Sequence, residues 1–426
     1  MTALRSLLIL AIALIAGVPA ATAGEHDDLA CSLCGGMSVL MSGAPDQPFF
    51  LRSFEPAGEG ATLPPDLENT AFTYDNALAV MAFYGCGRRA EAKRIADAFL
   101  HALKSDRHYH DGRLRNAYRA GAVAPGPDGM LLPGYWNTEA NAWSEDDYQA
   151  GSATGVSAWG ALALLAAYGE TRDAVYLDGA RRIMRFIHAS TADPTNPGFF
   201  GGFFGHEPAP APLTWKSTEH NLDVYAADRW LAGIDAGGEW TGPADSAKAF
   251  LDAMWNADNG HFHIGTLADS TAPNTRSSGL DAQLWPLLAV PDFKARASQV
   301  LGWTEAEHGV PGGFDFDTDR DGIWLEGTAQ AALTYQAMGA PEKAAPLFAT
   351  IAAQVSPQKL VYATVGAELT TGLLVGPTPE FGEFKYYRLP HIGATAWAVL
   401  AALELNPFTP AGFADGAAKA PCSPSQ

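Results

Sequence analysis

Cations, cysteines and long apolar runs are all scarce in this chain, and each shortage removes a class of function. Lys and Arg total 27 against 47 Asp and Glu, a formal net charge of −20. Such a field repels polyanions, so nucleic acid, anionic lipid and highly charged polyuronates are poor partners while neutral substrates are unaffected. The apolar run from Leu7 to Ala16 is too short to span a bilayer, and no later stretch reaches the roughly 20 apolar residues of a spanning helix. No membrane insertion is therefore expected. With Arg5 before it and Ala21-Thr22-Ala23 after it, the run has the layout of a signal peptide over residues 1–23. No cysteine is placed for lipidation, so the expected location is periplasmic or secreted.

Only four cysteines are present: Cys31, Cys34, Cys86 and Cys422. Cys31-Ser-Leu-Cys34 has no second Cys-x-x-Cys and no βαβ pattern around it, which argues against a zinc half-site or a redox centre. In an oxidising compartment the four permit two disulfides, in any of three pairings. Also absent are G-x-S-x-G, H-E-x-x-H, Walker and dinucleotide-binding fingerprints, so serine hydrolase, zinc protease and nucleotide chemistry recede. Asp315-Phe316-Asp317-Thr318-Asp319-Arg320-Asp321-Gly322 resembles a calcium loop. Arg320 interrupts it, however, and Glu326 follows Gly322 too closely for an EF-hand. Neither a metal nor any other cofactor is expected.

What the chain does have is apolar bulk, 47% hydrophobic with 11% aromatic, arranged in a recurrent unit. A small-residue-rich apolar helix opens on a polar cluster, a short turn follows, and a second helix carries a single apolar stripe. Tyr74–Tyr84 precedes Glu91–Lys104, Ser152–Tyr168 precedes Tyr176–His188, and Thr218–Leu231 precedes Ala244–Trp255. Leu280–Ala289 precedes Ala295–Trp303, Trp324–Met338 precedes Glu342–Val355, and Ile392–Leu403 ends the pattern. Six apolar helices with five partners predict an all-α closed ring over residues 24–408, with Leu29–Met41 as the missing outer helix. Pro286 falls inside the fourth apolar helix and is expected to shorten or kink it. Thr409 to Gln426, rich in Pro, Ala and Gly, reads as a disordered tail. Long aromatic loops between the units are expected to form short β ribbons and a binding surface. A monomer is expected.

The openings of the apolar helices carry the chemistry. Arranged in a ring, they bring Asp75, Asp146, Asp147, Glu219, Asp281 and Glu326 to one mouth, together with His220 and His391. Helix N-termini lower carboxyl pKa values, whereas burial and neighbouring carboxylates raise them. Members of one cluster can thus divide into proton donor and ionised partner, as glycosidic cleavage requires. Acids in first turns also occur simply as caps, and Asp146 with Asp147 fits that solvated role. Glu219 and Glu326 are the leading catalytic candidates, with Asp75 third. His220, Asn221, Asp281, Gln283 and His391 are candidate substrate contacts, and Trp143, Trp285, Trp324 and Tyr387 candidate stacking platforms for sugar.

Two other readings stay open. His220, Asn221 and a tyrosine (Tyr225 or Tyr387) would suit a polysaccharide lyase, which also needs cations such as Lys216, Arg276, Lys385 or Arg388 for a uronate. A noncatalytic glycan-binding protein needs only the aromatic mouth.

Tyr74-Asp75-Asn76-Ala77-Leu78-Ala79, Ser217-Thr218-Glu219-His220-Asn221-Leu222-Asp223, Gly322 to Gln330 and Gly393-Ala394-Thr395-Ala396-Trp397 resemble segments of the six-hairpin glycosidase superfamily. That resemblance covers roughly Tyr74 to Phe408 and implies an (α/α)6 toroid with its active site at the N-terminal mouth. It also implies carbohydrate chemistry, usually hydrolysis by paired carboxylates, and so a glycoside hydrolase acting on a neutral oligo- or polysaccharide.

Overall fold

Small residues decide which helices lie inside. The computed structural model describes residues 23–413 except 45, 59–61, 124–128 and 236–237, together with Cys422. In chain order the helices are α1 (Ala23–Leu40), α2 (Thr73–Gly85), α3 (Arg89–Ser105), the one-turn α4 (Asp147–Ala150), α5 (Thr154–Thr171), α6 (Ala174–Ser190) and α7 (Thr218–Ile234). They continue as α8 (Thr241–Ala253), α9 (Asp281–Ala289), α10 (Ala297–Glu307), α11 (Leu325–Ala337), α12 (Pro341–Ala353) and α13 (Ile392–Ala402). In α2, α5 and α13, runs of Ala, Gly, Leu and Trp are buried on every side. A helix without a polar face has to be enclosed. In α3 and α6 only one stripe is buried, such as Ile95, Phe99 and Ala102, with Lys93, Arg94 and Asp97 outside it. Burying Phe99 or Ile95 contributes about 1.5–3 kcal/mol each.

The inner helices pack in the cyclic order α2, α5, α7, α9, α11, α13 and back to α2. Each has an outer partner: α3 on α2, α6 on α5, α8 on α7, α10 on α9, α12 on α11 and α1 on α13. The first helix of the chain therefore completes the last hairpin. A disulfide from Cys34 to Cys86 fastens α1 to the turn after α2, closing a loop with a sequence separation of 52 residues. In the chain-entropy account a loop of that size stabilises by about 4 kcal/mol. The second disulfide joins Cys31 to Cys422.

Residues 1–22 of the expected signal segment lie outside the described residues. So does most of the expected tail, but the chain does not become structureless at Thr409. Pro410–Gly412 form a helical turn, Phe413 is fully buried, and its ring stacks on Trp230 at 6.0 Å. Among the described residues no helix is long and apolar enough to cross a membrane. Pro286 lies inside α9, which spans only nine residues. Among the described residues the loops form the expected short ribbons, six two-stranded sheets and one three-stranded sheet.

A repeated hydrogen bond sets the register of the ring. Near the start of α2, Asn76 accepts from Leu51 N–H at 2.8 Å and donates to Leu51 O and to Phe72 O, each at 3.0 Å. Asn221 of α7 clamps Phe199 N–H and O at 2.7 and 3.1 Å, and Gln283 of α9 clamps Phe262 N–H and O at 2.9 and 2.8 Å. Thr328 of α11 accepts from Phe314 N–H, and Thr395 of α13 from Val361 N–H. All five also donate to the carbonyl four residues back. Each clamp joins an incoming loop to a helix start, so neighbouring helices begin at one level. Two residues before the clamps stand Tyr74, Glu219, Asp281, Glu326 and Gly393, and Gly155 takes that place in α5. Two residues after them stand Leu78, Asp223, Trp285, Gln330 and Trp397, with Trp159 in α5. Positions four apart lie one above the other on a helix, so the first set forms the mouth and the second its floor.

Candidate active site

The floor is aromatic. Trp159, Trp285 and Trp397 meet one another with ring centroids 5.5 to 6.2 Å apart, and Phe408 closes them from below. Above this plug sit Asp75, Glu219, Asp281 and Glu326, with Asp223 beside Trp159 at its edge. Asp75, Asp223, Asp281 and Glu326 are buried, while Glu219 is half-exposed. Asp281 lies within electrostatic reach of Glu219, Glu326 and Asp223. The ring has therefore gathered acids more than 200 residues apart in sequence, as the helix openings predict.

Two glycines make room for them. A Cβ on Gly155 would lie 2.4 Å from His220 Cδ2 and 2.8 Å from Asp223 Oδ2. One on Gly393 would lie 2.7 Å from Glu326 Oε2 and 2.8 Å from Asp75 Oδ1. Any side chain at either place would displace the cluster.

Glu326 is the best-defined acid. Tyr74 Oη donates to its Oε1 at 2.6 Å, and Trp397 Nε1 donates to the same Tyr74 oxygen at 2.8 Å. An indole N–H only donates, so Tyr74 accepts from Trp397 and directs its own proton to Glu326 Oε1. With Tyr74 donating to Oε1, protonation of Glu326 falls on Oε2, which faces His391 Nδ1 at 3.6 Å. That oxygen has no hydrogen-bond partner among the described residues. Burial raises the Glu326 pKa to about 7, helped by Asp75 and opposed by His391 and the Tyr74 hydrogen bond. Burial likewise raises Glu219 to about 7. Asp223 and Asp281 are pushed well above the carboxylate range by burial and then by Glu219, with Glu326 adding to Asp281. Helix N-termini favour anions here by about 0.3–1 kcal/mol, too little to offset burial among like charges. None of the main influences on these acids comes from Lys or Arg.

His391 caps α13, its Nδ1 accepting from Ala394 N–H at 3.3 Å. Its Nε2 then carries the ring proton and faces Asp75 Oδ2 at 3.2 Å, while Phe54 stacks on the ring at 4.3 Å. Burial opposes a positive ring, yet Asp75 and Glu326 together hold its pKa above the ordinary value. His220 follows Ser217, which caps α7 by accepting from His220 N–H. Burial lowers the His220 ring to about 4, and its Nδ1 finds no partner among the described residues.

Several candidates stand elsewhere. Asn221 and Gln283 hold loop backbone, with both amide protons used, and are fully buried. Trp285 belongs to the floor, and Trp324 is 1% exposed beneath Tyr386, so neither is an open platform. Tyr387 points outward at 37% exposure, whereas its strand neighbour Tyr386 faces Glu326, Asp281 and Asp75. Alternation along the strand Glu383–Tyr387 reverses the two, a one-residue choice that composition cannot make. Trp143 is 45% exposed on a rim hairpin. Tyr74, Tyr148, Asp223 and Trp397 were missed as site residues. The i, i+4 spacing from Glu219 to Asp223 was the available signal for the third.

Three of the four candidate lyase cations are engaged away from the cluster. Lys216 pairs with Asp193 at 2.6 Å, Lys385 with Glu368 at 3.2 Å, and Arg388 bonds Gln354. Asp146 caps Gln149 N–H and Asp147 meets His206, in keeping with a solvated cluster. In the acidic loop, Asp315, Asp317 and Asp319 place one oxygen each within 4.8 Å of the others, close enough to admit a cation. Both Asp315 oxygens accept backbone N–H groups, from Phe316 and Gly322.

No protein-family model matches the sequence, and no curated protein matches it. The fold does match solved structures. A wild-type glycosidase aligns at TM-score 0.58 and 12% identity, covering 90% of this chain and 98% of that one. A cellobiose 2-epimerase from Bacillus thermoamylovorans aligns at 0.63 and 10%, covering 88% and 98%. Another from Spirochaeta thermophila aligns at 0.60 and 14%, covering 90% and 96%. The fold is the six-hairpin (α/α)6 toroid. At these identities the likeness concerns the fold, and the chemistry has to be argued from the mouth.

Proposed function

We propose that this protein is an exported carbohydrate-active enzyme, and within that class a glycoside hydrolase acting on a neutral sugar chain. The observation that carries the reading is the Trp397–Tyr74–Glu326 chain, which leaves the Glu326 proton on Oε2, an oxygen that makes no hydrogen bond among the described residues and faces His391 Nδ1 at 3.6 Å. Glu326 would protonate the departing glycosidic oxygen. Glu219, half-buried at the mouth, would act in its ionised form as base or nucleophile. Asp281 and Asp223, kept protonated, would donate hydrogen bonds to sugar hydroxyls. The absence of Lys and Arg among the groups acting on the cluster supports a neutral substrate over a uronate. Two disulfides support the exported location.

The test is product analysis on a panel of neutral glycans. New reducing ends that disappear in both Glu326→Gln and Glu219→Gln support the reading, with losses of about 10²-fold or more. Full activity in both variants removes it.

One observation favours epimerisation instead. His220 is held neutral by burial with its Nδ1 unpartnered among the described residues, and the structural neighbours include sugar epimerases. Proton abstraction beside an open-chain carbonyl would wash solvent deuterium into the product carbon, whereas hydrolysis would not.

A further inference from the structure

Two tryptophans outside the ring find no use in the mechanism above. Trp136 and Trp143 are cross-strand partners on the hairpin Tyr135–Asn137 and Ala142–Ser144, so their rings leave the same face. They are 56% and 45% exposed, while Trp159, Trp240, Trp324 and Trp397 are fully buried. An open apolar pair of this size on a soluble chain marks a binding surface more often than chance.

The pair is also held in place. Asn69 accepts from Gly134 N–H at 3.1 Å and donates to Gly134 O at 2.6 Å, fixing the base of the hairpin. The Trp143 ring lies against Gly134, where an added Cβ would sit 2.7 Å from Nε1, and the Arg119 guanidinium covers it at 4.9 Å. Rings positioned in advance lose little freedom on binding.

The hairpin is continuous with the mouth. Half-exposed rings lead outward from Tyr386 to Phe384 at 5.7 Å, Tyr148 at 5.9 Å and Phe72 at 6.3 Å. Phe72 pairs in register with Ala117, and Arg119 two residues along that strand reaches Trp143. Rings thus lead from Tyr386, which faces Glu326, out to Phe72, and Arg119 carries the path on to Trp143.

We propose that Trp136 and Trp143 form a distal glycan platform, and that the substrate is an oligo- or polysaccharide long enough to lie along this path. This rests on the carbohydrate reading above. Flat indole faces suit the apolar face of a neutral pyranose. The net charge of −20 disfavours an anionic membrane as the occupant.

The experiment compares wild type, Glu326→Gln and Trp136→Ala/Trp143→Ala by affinity electrophoresis in gels cast with neutral polysaccharides, and by kinetics on a disaccharide and a longer oligosaccharide of the same linkage. Expected is normal retardation of Glu326→Gln and none of the double tryptophan variant. KM for the longer chain should rise about tenfold in that variant, with the disaccharide unaffected. Unchanged retardation of the double variant, or an equal loss on both substrates, overturns the platform. So does failure of wild type to be retarded by any neutral polysaccharide. Retardation that depends on the tryptophans without new reducing ends keeps the platform and removes hydrolysis alone.

Discussion

The acids of the mouth and those of the loop Asp315 to Asp321 differ in how their oxygens are met. In the mouth, Glu219 Oε1, Asp223 Oδ1, Asp281 Oδ1 and Glu326 Oε2 have no hydrogen-bond partner among the described residues. In the loop Asp315 to Asp321, the acids are answered locally. Asp315 accepts from Phe316 and Gly322, Asp317 from Asp319 N–H, Asp319 from Asp321 N–H, and Asp321 from Thr370. Burial raises carboxyl pKa values in both places, to about 7 for Asp315 and for Glu326. A raised pKa therefore does not distinguish them. Unmet hydrogen-bonding capacity does, because an unpaired buried carboxyl costs stability that a purely structural role gives no reason to retain.

Substitutions sharpen the contrast. Glu326→Gln should cost about 10²-fold or more in kcat and at the same time stabilise the protein at alkaline pH. Glu326 has a folded pKa of about 7 against an ordinary 4.5, so the folded state holds a proton that the unfolded chain releases between those values. Its contribution is intact below about 4.5 and is lost as pH rises through about 7. The neutral amide should recover up to about 3 kcal/mol at pH 8, read by denaturant melts at pH 5 and 8. A variant that loses activity and stability together would place Glu326 with the structural acids.

Tyr74→Phe should lower kcat about tenfold, since Glu326 could then carry its proton on either oxygen. Activity should fall as pH rises through about 7 in wild type. In the variant that limb should move to higher pH, because the Tyr74 hydrogen bond lowers the Glu326 pKa. An unmoved limb would disconnect Tyr74 from the acid. Asn221→Ala should unfold with about 2–3 kcal/mol less stability, having orphaned Phe199 N–H and O, yet keep its KM. A raised KM with intact stability would return Asn221 to the substrate. Smallest of all, Asp319→Asn should change stability by about 0.5 kcal/mol and leave kcat alone, Asp319 being exposed. A kcat loss there would make the two clusters one functional unit.

The helices were legible because burial on all sides, or on one stripe, is written in local composition. Among the described residues the twelve α-helices longer than one turn fall on the expected segments, most with ends shifted by up to four residues, while α1 starts six residues before Leu29. Asp75, Glu219, Asp281, Glu326, His220 and His391 were legible as a group because each opens an inner helix. The misreadings share a cause. Asn221 looks like a ligand contact beside Glu219 until Phe199 is seen to occupy it, and Tyr387 cannot be told from Tyr386 without the strand's facing.

By itself, then, the sequence determined the sixfold alternation of apolar and striped helices and the acids that open them, since both depend on residues within a turn or two. Tertiary structure alone decided which oxygen of Glu326 keeps its proton. That depends on Tyr74 and Trp397, 252 and 323 residues apart from their partners in the chain, meeting through the closure of the ring.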